Sequence, residues 1–184
     1  MDRVNRLEGL DRRALIRRAL LLVGGAALSL PRAVLAGEGA PYLAPERLDT
    51  LAAYADSLIP ATDTAGAIDA GVPRTIDAML RDWASDKTRA DFAATLDALD
   101  DAARSATGKK LAVLSADRRA PVVAAFDADR IAALDSAYIR LRELTLIAYY
   151  LSEPGATQEL RYELIPGVWE ADIALGDDRR AWAV

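Results

Sequence analysis

The sequence predicts an all-α protein, a small helical bundle followed by an irregular, aromatic-containing C-terminal tail. Three observations predict it. Alanine dominates a chain that is 52% hydrophobic and only 6% aromatic, and charges of both signs are interspersed with it, a composition that favours helix over strand. Apolar residues recur at spacings of three and four. Proline and glycine stand where helices start and stop. With 184 residues the chain is long enough for one domain and hardly for two.

Residues 1–36 differ from the rest. Arg3, Arg6, Arg12, Arg13, Arg17 and Arg18 precede an apolar run from Ala19 to Leu30. That run is too short to span a membrane comfortably and suits the apolar region of an export signal. Pro31 breaks it, and Val34 and Ala36 supply the small residues of a cleavage site before Gly37. Asp11-Arg12-Arg13-Ala14-Leu15-Ile16-Arg17 resembles the twin-arginine pattern, with paired arginines, Leu15 and Ile16, then the basic Arg17. Asp11 and Leu15 depart from the usual Ser or Thr and Phe. An ordinary secretory signal or an uncleaved anchor is the plainer alternative. The twin-arginine route carries folded proteins, so the expected partners include its translocase and the expected compartment is the periplasm.

Residues 37–184 form the expected single helical domain. Of 23 basic and 28 acidic side chains, 7 and 3 fall in the first 36 residues, leaving 16 and 25 and a net charge of −9. So acidic a domain is a poor ligand for nucleic acid or anionic lipid. The chain has no cysteine and no histidine, which excludes disulfides, thiolate nucleophiles, a Ser-His-Asp triad, and the usual zinc, haem and iron–sulfur ligands. No cofactor or metal is therefore expected on this chain.

Pro45 opens a first helix that runs to about Ile59, with Leu48, Leu51, Ala55 and Leu58 inward and Pro60 as its stop. "ATDTAGAIDAG" reads as a structured loop, in which Asp63 and Asp69 are too few to bind a cation. Pro73 opens a second helix with Val72, Ile76, Met79, Leu80 and Trp83 on one face. Asp91 to Ala106 makes a third, with Phe92, Leu96, Leu99 and Ala103 inward and Asp97, Asp100, Asp101 and Arg104 outward; Gly108 ends it. Ser115 looks like an N-cap with Asp117 in the first turn, and Pro121 implies either a kink or a later start. The last helix spans about Arg130 to Leu151, with Ile131, Leu134, Tyr138, Leu141, Thr145 and Ala148 inward. From Leu144 to Leu151 it is apolar nearly all round and is predicted to be buried. The tail from Glu153 is not disordered in character, since six of the eleven aromatics lie after residue 137. Short extended pieces are conceivable only after Leu160.

"SEPGATQELRY", Ser152 to Tyr162, is the stretch that asks for a function. Glu153 and Glu159 as an acid–base pair would make it catalytic, but solvated or salt-bridged carboxylates are the commoner outcome. Tyr, Trp and Arg are enriched in interfaces, and Thr157 and Gln158 pair with backbone without carrying charge. Pro154, Gly155, Pro166 and Gly167 would shape an extended path. Folding back over its own helices is an equal and compatible reading.

"SLIPATDTAGAIDAGVPRTIDAMLRDW" together with "ELTLIAYYLSEPGATQELRYELIPGVWEADIAL" resembles the gluconate 2-dehydrogenase subunit 3 family. The matching positions are Ile59 to Thr64, Gly71-Val72-Pro73 and Gly155 to Tyr162, and the resemblance covers nearly all of residues 37–184. It implies a non-catalytic small subunit that accompanies a large FAD-containing dehydrogenase subunit of the glucose–methanol–choline type, which oxidises a sugar, sugar acid or polyol. Many such complexes add a membrane-associated cytochrome c subunit with haem c, at the outer face of the inner membrane. The small subunit carries the export signal for the folded flavoprotein and helps it mature. The docking residues expected here are Arg161, Tyr162 and Gln158, with Tyr149 and Tyr150 behind them and Glu153, Gly155, Thr157, Glu159 and Trp169 beside them. A carboxylate lent to a shared active site and a free-standing export chaperone are the rival roles.

Overall fold

The computed structural model describes residues 40–162 and 180–181. The expected export signal, its cleavage site and Trp169 lie outside them. Helix α1 is Pro45–Leu58, with Pro45 in its first turn, where a missing N–H costs nothing. Leu51, Tyr54 and Ala55 are fully buried, while Leu48 and Leu58 are only partly covered. The core side of α1 is thus centred one position away from the leucine stripe, on Tyr54.

Helix α2, Val72–Asp82, follows Gly71, whose φ of 73° is a left-handed conformation that glycine adopts without strain. Val72, Ile76 and Leu80 point inward as predicted. Met79 and Trp83 do not: Trp83 is 76% exposed and Met79 40%. Trp83 is already the C-cap, with φ −129°, so it has left the helical register on which its inward placement depended. Asp77 takes a core position instead. Its carboxylate accepts N–H bonds from Tyr42 (2.9 Å) and Leu43 (2.7 Å), which tie the segment preceding α1 to α2.

Helix α3 is Asp86–Thr107, longer at its start than the sequence suggested. Ser85 caps it by accepting from the Thr88 N–H at 3.2 Å. Phe92, Leu96, Leu99 and Ala103 are buried as predicted, and Gly108 ends the helix with φ 74°. Asp100, expected outward, is buried. It accepts from the Leu111 N–H (2.9 Å), from the Thr50 hydroxyl (3.4 Å) and from Arg104 (3.2 Å). A 3-10 turn, Leu111–Val113, folds back at this point, and its first amide needs the acceptor that Asp100 provides.

Helix α4, Ala116–Ala132, contains Pro121 without a delayed start. Ser115 occupies the N-cap position, but its side chain makes no capping bond. Val122, Val123 and Phe126 are buried. The single helix expected from Arg130 to Leu151 is in fact two, because α5 begins only at Ser136 and ends at Tyr150. Leu134 is left-handed, φ 52°. The Leu134 N–H bonds to the Ile131 carbonyl and the Asp135 N–H to that of Arg130, both at 3.0 Å. These are the two bonds of a Schellman stop. Asp135 then caps α5, accepting from the Ala137 and Tyr138 amides. Ile131 and Leu134 are consequently exposed rather than inward.

Helix α1 packs against α2, α3, α4 and the 3-10 turn, and α5 packs against α2, α3 and α4. Among the described residues this is a bundle of five α-helices. At its centre Tyr138 stands edge-on to Tyr54 (6.1 Å between ring centres) and Phe126 (5.4 Å). Its hydroxyl donates to Asp127 at 2.5 Å. Burial pushes the Tyr54 phenol up to about 12, and burial with the Asp127 contact raises that of Tyr138. No helix among the described residues is long and apolar enough to cross a membrane.

Candidate functional site

The last turn of α5 sets the site's position. Of Leu144 to Leu151, predicted buried throughout, only Thr145, Ala148 and Tyr149 are. Ile147 is 52% and Leu151 77% exposed. The end of α5, apolar nearly all round, thus keeps apolar side chains at the surface.

Beyond Leu151 the chain does not run extended. Gly155–Glu159 is a π-helical turn, closed by the Leu160 N–H on the Gly155 carbonyl at 3.0 Å. Pro154 falls ahead of this turn, where its missing N–H is not needed. Ser152 organises the entry: its hydroxyl donates to the Tyr149 carbonyl (2.5 Å) and accepts from the Gly155 N–H (3.1 Å). Gly155 is buried, and a Cβ there would sit 2.0 Å from the Tyr149 carbonyl oxygen. Only glycine fits that approach.

The loop between α1 and α2 meets this turn. The Ala67 N–H bonds back to the Ile59 carbonyl at 2.9 Å, and Gly66 presses on the Pro60–Ala61 backbone so closely that a Cβ would lie 2.5 Å from the Ala61 nitrogen. The folded loop presents Thr64 and Ala65 to the distant turn. Thr64 donates its hydroxyl to Glu159 at 2.8 Å, and the Tyr149 hydroxyl donates to the Ala65 carbonyl at 2.8 Å. The Tyr149 phenol is raised above its ordinary range, first by burial; Thr64 opposes the rise and the Glu159 carboxylate adds to it.

The residues singled out from the sequence therefore divide. Tyr149 and Gly155 are buried and serve the fold of the site. Glu159 is half-buried on Thr64. Glu153, Thr157, Gln158, Arg161 and Tyr162 are exposed, and Tyr150 is 41% exposed with its ring edge-on to Tyr149 at 5.4 Å. Thr157 bonds back to the Glu153 carbonyl at 2.7 Å. Arg161 donates its N–H to the Ala181 carbonyl at 2.7 Å, an isolated bridge that agrees with a short extended piece after Leu160.

Sequence reasoning missed Thr64 and Ala65 as parts of this site. Both sat in a stretch read as a structured loop, Thr64 also as the end of a segment carrying the family resemblance, and neither reading announces that Thr64 has a partner 95 residues away. What the assembled surface offers is the amide of Gln158 and the hydroxyl of Thr157 on the turn, with the phenols of Tyr150 and Tyr162 on either side of it in sequence. That is recognition chemistry. No group of three or more acidic side chains able to hold a metal occurs among the described residues.

Against known families, residues 45–167 match the family model described as gluconate 2-dehydrogenase subunit 3. The match takes in all five helices, the loop and the turn. No curated protein and no solved structure matches the chain.

Proposed function

The chain belongs to the gluconate 2-dehydrogenase subunit 3 family, whose members are small accessory subunits of a dehydrogenase, and from that premise we propose that it docks on a large FAD-containing subunit and carries it, folded, through the twin-arginine pathway. The observation that carries the docking role is the meeting of two segments far apart in sequence. Loop and turn hold each other through Thr64 and Tyr149, and leave Thr157, Gln158, Arg161 and Tyr162 facing outward. Arginine and tyrosine next to a turn tied to the domain suit an interface centre, because less backbone freedom is left to lose on binding.

The carrier role rests on Arg12, Arg13, Leu15, Ile16 and Arg17 and on Val34, Ala36 and Gly37. A folded-protein export signal on a chain without His or Cys ligands makes sense when the cofactor belongs to the passenger. The complex then works in the periplasm, at the outer face of the inner membrane when a cytochrome c subunit with haem c joins it. Substrate choice resides in the flavoprotein.

Co-export tests this. The chain is expressed with its proposed flavoprotein partner, carrying Arg12→Lys and Arg13→Lys, and in a second variant Arg17→Lys and Arg18→Lys as well. Dehydrogenase activity is expected to leave the periplasm and remain in the cytoplasm. Export of the flavoprotein regardless of these arginines would remove the carrier role.

A further inference from the structure

We propose that Thr64 is a positioning residue for partner binding, its hydroxyl latching Glu159 so that the Gly155–Glu159 turn is held in the shape the flavoprotein subunit engages. The inference rests on the docking role proposed above and adds to it a residue from the opposite end of the domain.

The geometry makes the latch specific. A π turn is rare and short, and the Leu160 N–H closes this one on the Gly155 carbonyl. On its α5 side the turn is fixed by Ser152 and by the close approach of Gly155 to Tyr149. Its far end, at Glu159, is fixed to the rest of the domain by Thr64 at 2.8 Å. Gln158 precedes Glu159, and Leu160, Arg161 and Tyr162 follow it. The latch therefore grips the middle of the segment that carries the exposed docking residues, through two side chains that are themselves half-buried. Glu159 is an acceptor of a charge-assisted bond, the stronger kind.

The loop is built to aim Thr64. Gly66 admits no side chain, because Ile59, Pro60 and Ala61 close over it. The Tyr149 hydroxyl holds the neighbouring Ala65 carbonyl. Two bonds from adjacent loop residues thus reach both ends of the Tyr149–Glu159 stretch. A turn fixed in advance loses less freedom when a partner arrives, so the latch adds affinity without adding contact area.

The test measures binding of the full chain to the purified flavoprotein subunit, at a temperature where every variant is folded. Thr64→Val is expected to weaken binding about tenfold, the size of one charge-assisted hydrogen bond, and Thr64→Ser to restore it. Glu159→Gln with Thr64→Val should weaken it no further than Thr64→Val alone, as two halves of one interaction do. Tyr149→Phe removes the second tie without changing shape, and should also weaken binding. A merely structural threonine would lower the melting temperature and leave the affinity of the folded chain unchanged. Gln158→Ala and Tyr162→Ala separate the two ideas. If they weaken binding while Thr64→Val and Tyr149→Phe do not, the docking role stands and the latch is overturned. If all four bind like the wild type, the docking role falls and the latch with it.

Discussion

Replacing Gly155 by alanine puts the architecture of the docking turn to a direct test. The added Cβ would lie 2.0 Å from the Tyr149 carbonyl oxygen and 2.8 Å from its carbon, and both are backbone atoms that cannot rotate away. Relief requires the turn to move by about 1 Å, enough to lose well-formed hydrogen bonds. Three bonds are at stake, from Gly155 to Ser152 (3.1 Å), from Leu160 to Gly155 (3.0 Å) and from Thr64 to Glu159 (2.8 Å). Taking about 1 kcal/mol for each neutral bond and about 1.5–3 for the charge-assisted one, the loss is about 3.5–5 kcal/mol. If the domain unfolds as one unit, a chain of this size loses about 2–4 °C in Tm per kcal/mol, so Tm drops by about 7–20 °C. If the turn instead detaches alone, Tm moves little and protection is lost locally. Denaturant unfolding and amide exchange at Ala156 and Leu160 read the two cases together. A variant with wild-type stability and wild-type protection at both amides would refute the close approach and the turn built on it.

Three further outcomes follow from the bundle. Asp100→Ala strands the buried Leu111 N–H and removes the Arg104 contact; calorimetry should show a loss of about 3 kcal/mol, with Asp100→Asn losing less because its amide oxygen still accepts. Leu134→Gly should stabilise by about 0.5–1 kcal/mol in denaturant titration, because the left-handed penalty of an L-residue exceeds glycine's extra chain entropy and this 78% exposed side chain gives up little packing. Alkali should destabilise the domain: burial pushes the Tyr54 phenol up to about 12 against about 10 when unfolded, so its contribution is intact below pH 10 and is lost as pH rises towards 12, on the order of 2–3 kcal/mol. Stability followed against the tyrosinate absorbance should show this loss, and Tyr54→Phe should shrink it.

Several helix starts and stops were legible from the special residue that marks them. Pro45, Pro73 and Gly108 stand at termini in sequence and structure alike, since each acts through its own backbone. The break between α4 and α5 escaped because its left-handed residue is Leu134, not glycine, and because Ile131 and Leu134 continue the apolar spacing straight across it. The one visible signal was Asp135 before Ser136, an N-cap pattern set inside an apparently continuous helix. Asp100 escaped for a different reason. On its own helix it sits among Asp97, Asp101 and Arg104 and reads as outward, and only the return of Leu111 turns it into a buried acceptor.

By itself the sequence determined the all-α class, most helix limits, the acidic charge, the absence of thiol and imidazole chemistry, and a family resemblance carried by two motif segments. These depend on composition and on neighbours three or four residues apart, which are fixed along the chain. Tertiary structure decided which motif residues remain available. It consumed Tyr149, Gly155 and Thr64 in holding the site together and left Gln158, Arg161 and Tyr162 at the surface. A hydroxyl and a carboxylate separated by 95 residues have no fixed distance until the helices between them pack, so their pairing belongs to the fold and to no local pattern.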